Sequence, residues 1–107
     1  MTVKKTIKKS QAMAFLEEVM GGPLTFGEHL EAIRQGEEMT LEAFAKKLGV
    51  SRQHLCDIEK GRRRISPDRA SKWARILGYS ETLMVQLALQ HMVEEAGLKM
   101  KVSVKAA

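Results

Sequence analysis

Two adjacent side chains, Arg52 and Gln53, carry the donor and acceptor sets that match the edges of nucleic-acid bases. A guanidinium can donate to O6 and N7 of guanine, and a glutamine amide can pair with N6 and N7 of adenine. Both follow Ser51, a residue suited to cap a helix, which places them in its first turn. Asp57 returns to the same face of that helix. Its carboxylate could accept from cytosine N4, or pair with Arg52 or Lys60. Beyond the helix, GRRRIS sets Arg62, Arg63 and Arg64 in succession, guanidinium groups ready for phosphate oxygens. His54, beside the base-reading pair, flanks the groove as a neutral donor on the phosphate side.

The elements that must hold these groups are legible around them. In TLEAFAKKLGVSRQHLCDIEKG, residues 40–61, Thr40 caps a helix over Leu41–Leu48 and Ser51 caps another over Arg52–Lys60. Gly49 between them supplies the positive φ of a tight turn. Ala45 is small where the two helices must cross closely. Leu55 and Ile58 dock the second helix on the first, and at 100° per residue this turns Arg52, Gln53, Cys56, Asp57 and Lys60 outward.

Flanking signals extend the all-helical pattern. Thr25 and Glu28 form a capping box for a helix over Phe26–Gln35, with Gly36 as its stop. Ser66-Pro67 opens a helix running to Leu77 before Gly78, with Ala70, Trp73, Ala74 and Leu77 as its inner stripe. A last helix runs from Ser80 to about Ala96. It is apolar on two sides: Leu83, Met84, Leu87 and Ala88 form one face, and Val85, Leu89, Met92 and Val93 the other. A small domain covers one such face, so the second is expected at a subunit interface, the alternative being an N-terminal helix folded over it. Leu98, Met100, Val102 and Val104 then alternate with polar residues, the period of a β-strand that needs a partner, in a second copy or another protein. Leu98, Met100 and Val102 therefore join Val85, Leu89, Met92 and Val93 as dimer-interface candidates.

Charge singles out the same centre. The net charge is +5, and residues 51–78 alone carry an excess of +5, the other segments cancelling among themselves. Such a basic block beside an exposed helix is the footprint of a polyanion. One cysteine, Cys56, excludes an internal disulfide and suits a reducing compartment. Glu17 and Glu18 interrupt the only apolar stretch near the N-terminus, so neither a signal peptide nor a membrane span is expected. His29, His54 and His91 lack metal-ligand spacing, and no nucleophile–base pair or glycine-rich phosphate loop is present. The chain is expected to be no enzyme, to hold no metal or cofactor, and to be cytoplasmic.

Residues 25–79 resemble the Cro/C1-type (XRE) helix-turn-helix family. The likeness rests on Ala45, Gly49, Val50, Leu55, Ile58, the IEKG at Ile58–Gly61, and Pro67, Ala74, Leu77 and Gly78 in P-x6-A-x-x-L-G. It implies a five-helix DNA-binding fold, with Arg52, Gln53 and Asp57 at base-contacting positions and Ser51, Lys60 and Arg62 near phosphates. It also implies a dimer on a palindromic operator, acting as a repressor, and in the antitoxin branch a toxin protein as partner. One departure stands out: many members begin the first motif helix with a Gln that touches phosphate and braces the second, and here that residue is Leu41. The expected organisation is a basic tail and short helix over 1–24, the helix-turn-helix domain over 25–97, and a C-terminal β-strand over 98–107. The competing reading is a protein-interaction module that keeps this fold with DNA binding secondary.

Overall fold

The computed structural model describes residues 24–107, which form five α-helices and, among them, no β-strand. The helices are α1 (Phe26–Gly36), α2 (Leu41–Leu48), α3 (Arg52–Glu59), α4 (Pro67–Leu77) and α5 (Glu81–Glu95). The short helix expected over residues 11–20 lies outside the described residues. Each helix starts at the hydroxyl residue the sequence offers. Thr25, Thr40, Ser51, Ser66 and Ser80 each accept from a backbone N–H in the first turn, and Thr25 and Glu28 complete the capping box.

The core gathers one stripe from every helix. Phe26, Leu30 and Ile33 of α1 meet Phe44, Ala45 and Leu48 of α2, Leu55 and Ile58 of α3, Ala70, Trp73, Ala74 and Leu77 of α4, and Met84, Leu87 and Ala88 of α5. Burying an aliphatic or aromatic side chain of this size contributes roughly 1.5–3 kcal/mol. This stripe therefore decides which way every helix faces. Ile65, in the loop before α4, is buried as well. It tethers that loop with the arginines 62–64 on its exposed side.

Two details differ from the sequence expectation. Helix α1 runs through Gly36, and Glu38 takes the left-handed conformation at φ +56° in its place. The C-terminal β-strand is also absent. Residues 98–107 are extended but pair with no strand, because a helix supplies their hydrogen bonds. Gln90 Oε1 accepts from the Val102 N–H at 2.7 Å and Gln86 Oε1 from that of Val104 at 3.2 Å. Gln90 Nε2 donates to the Met100 carbonyl at 3.0 Å. Four residues of helix advance about 6 Å and two of extended chain roughly 6.6 Å, so the two repeats run in step. The alternation in the sequence is real: Val102 and Val104 are half-buried between exposed Lys101, Ser103 and Lys105.

Candidate nucleic-acid interface

Helix α3 is presented by α2 across a turn built on Gly49. That residue sits at φ +77°, and the Gly49 and Val50 N–H groups return to the carbonyls of Lys46 and Ala45 at 3.2 and 3.0 Å. The chain reverses at once, and Ser51 caps α3 by accepting from the His54 N–H at 3.0 Å. Leu55 and Ile58 are fully buried beneath the helix. Arg52, Gln53 and Lys60 are exposed, while His54, Cys56 and Asp57 are half-buried along the same outer side. The Arg52 side chain makes no hydrogen bond or ion pair among the described residues. Its guanidinium is left with its full set of donors at the tip of α3.

The other candidate residues fall into three groups. Asp57 joins Gln53 and Arg62: its Oδ1 accepts from Gln53 Nε2 at 3.0 Å and from Arg62 Nε at 3.2 Å. Neither Arg52 nor Lys60 pairs with it. His54 lies near Arg63 and Arg69, and its imidazole is held below its ordinary pKa, first by burial and then by those two cations, against a smaller pull from Asp57. The ring is thus a neutral donor or acceptor at neutral pH. Arg64 turns toward α5, with its guanidinium 3.6 Å from Glu95. That pair is exposed on both sides and contributes little. Ser51 lies exposed at the mouth of the turn.

Three contributors escaped the sequence reading. Arg69 stands over the Trp73 ring at 5.9 Å and extends the basic cluster onto α4. The arginine–tryptophan spacing of four was the available signal. Arg34 of α1 forms a two-pronged ion pair with Glu59 at the end of α3, at 2.9 and 3.1 Å, and also donates to the Met39 carbonyl at 3.1 Å. Glu59 is buried and Arg34 half-buried, and the pair fixes the far end of α3 to α1. Gly27 lets those helices touch: a Cβ there would stand 2.5 Å from the carbonyl oxygens of Ile58 and Glu59. Leu41, at the position where the resemblance implies a bracing glutamine, packs instead against the core. In this chain α3 is braced from the α1 side.

Val85, Leu89, Met92 and Val93 of α5 are half-buried, as is Val102, while Leu98 and Met100 are exposed. Cys56 is a free, half-buried thiol. Among the described residues no group of His, Cys, Asp and Glu is arranged to hold a metal ion. His29 is buried and His91 pairs with Glu95 at 3.4 Å. No helix among the described residues is long and apolar enough to cross a membrane.

Residues 30–84, slightly more than half of the chain, match a family model described as helix-turn-helix. No curated protein and no solved structure matches the chain.

Proposed function

Since the chain belongs to the Cro/C1-type (XRE) helix-turn-helix family of DNA-binding transcription regulators, we propose that it is a repressor that reads a palindromic operator as a homodimer, with α3 in the major groove. The observation that carries this reading is the exposure of Arg52 and Gln53 at the N-terminal end of a helix whose opposite side is locked by Leu55 and Ile58. A helix entering the groove by that end brings these two side chains to the base edges. Arg62, Arg63, Lys60, Ser51 and His54 flank them within reach of the backbone, and Arg69 adds a cation from α4. Asp57 belongs to the same surface.

The second apolar side of α5 supports the dimer. Val85, Leu89, Met92 and Val93 are only half-covered in one copy, and the exposed Leu98 and Met100 follow them in the chain. A second copy on this surface would pair two α3 helices, and half-sites about 34 Å apart, one turn of the duplex, are the spacing expected of such a dimer.

Binding of the full chain to duplexes selected from a randomised pool tests the reading. Arg52→Ala should lose about 10- to 100-fold at one base pair of each half-site and leave the others unchanged. Arg63→Ala should weaken binding to all sequences alike and flatten the salt slope by about one unit. Unchanged DNA affinity in both variants would favour the interaction module instead.

A further inference from the structure

A carboxylate on the surface meant for a polyanion needs explaining, and the geometry around Asp57 explains it. Gln53 and Asp57 are four residues apart, one turn along the same face of α3. The glutamine presents its NH2 end to the aspartate, at 3.0 Å, as it must, since its carbonyl end would be repelled. Arg62 approaches the same oxygen through both Nε and Nη2, each at 3.2 Å. Its arrival is prepared by the backbone. Gly61 adopts φ +78°, and the Arg62 N–H then donates to the carbonyl of Asp57 itself at 2.8 Å. One residue thus receives Arg62 twice, once by main chain and once by side chain. Of the charged pair, Asp57 is the more covered, at 26% exposure against 60% for Arg62.

Resting on the DNA-reading function proposed above, we infer that Asp57 is a positioning residue: it sets the amide of Gln53 for its base and holds Arg62 over α3, and does not read a base. The amide of an untethered glutamine turns freely between two orientations, only one of which matches a given base edge. With one Nε2 hydrogen given to Asp57, the other hydrogen and Oε1 remain as one donor and one acceptor in a fixed order. That is the pattern adenine presents in complement. The arginine cancels the carboxylate's charge in place, so the phosphate backbone meets a neutral trio with an outward guanidinium edge.

The test uses the full chain carrying Asp57→Ala, Gln53→Ala, or both, measured against duplexes with every base pair of the half-site replaced in turn. Asp57→Ala should relax preference at the same base pair as Gln53→Ala, by roughly two- to tenfold, the effect of having to order one long side chain on binding. The double variant should lose no more at that pair than Gln53→Ala alone. In the DNA-free protein, the Gln53 side-chain NH2 resonances should be dispersed and should collapse toward solvent-exposed values in Asp57→Ala. Loss at a base pair that Gln53→Ala leaves intact, with additive effects, would make Asp57 a base reader and overturn the inference. So would unchanged NH2 resonances. Those failures leave the parent reading standing, because Arg52→Ala would still lose its own base pair; a wild-type chain with no sequence preference would sink both.

Discussion

Replacing His29 by Leu removes an imidazole that folding keeps neutral, and its effect can be read against pH. The ring is 1% exposed, lies edge-on to Tyr79 at 6.2 Å, and leaves Nε2 buried with no hydrogen-bond partner. Burial lowers its pKa from 6.5 to about 4. Between those values the unfolded chain takes up a proton that the folded chain refuses, so stability is lost as pH falls below 6.5 and the loss is complete below about 4. At about 1.4 kcal/mol per pH unit, the full penalty is about 3 kcal/mol, with about 2 kcal/mol of it present at pH 5. Urea unfolding of wild type and His29→Leu at pH 8 and pH 5 isolates this contribution, since all other titrating groups are common to both. The wild type should lose about 2 kcal/mol more than the variant between the two pH values, roughly 8–16 °C in Tm for a domain of this size. Parallel losses would refute the reasoning.

Glu59→Ala should cost roughly 1.5–3 kcal/mol in urea unfolding, because it removes both carboxylate bonds of the half-buried Arg34 guanidinium, whereas Arg34→Met with Glu59→Met should cost less. Gly27→Ala should destabilise by roughly 1–3 kcal/mol, despite alanine's better helix propensity, since the new methyl meets main-chain oxygens rather than a flexible side chain. Its DNA affinity, measured well below the melting temperature, should fall as α3 is displaced. If the proposed dimer forms through α5, Leu89→Lys should convert it to a monomer in sedimentation without lowering the melting temperature of a dilute sample.

The parts of this molecule that were legible in its sequence are those set by local rules. Hydroxyl caps, the glycine turn at Gly49 and the spacing of Leu55 and Ile58 placed α2 and α3 and turned Arg52 and Gln53 outward. What stayed hidden depends on contacts between distant segments. Arg34 and Glu59 are 25 residues apart, and nothing in either neighbourhood marks them as partners. Gly27 reads as an unremarkable helix residue until α3 lies across it. Asp57 falls on the face that helical spacing dictates, but its partners do not follow from spacing: Arg52 and Arg62 are each five residues away, and the turn at Gly61 brings Arg62 to it. The tail's alternation was visible too, yet hydrophobic period alone cannot say whether a strand or a helix will satisfy an extended backbone.

That last arrangement carries a consequence for how freely the C-terminus can vary. Gln86 and Gln90 grip only main-chain atoms of residues 100, 102 and 104, so the clamp is blind to which side chains those residues bear. Proline at 102 or 104 is excluded, for want of an N–H. Other residues keep the N–H groups the clamp uses, and the exposed side chains at 101, 103 and 105 can be exchanged, to suit a different partner, while the segment stays fastened to the same helix.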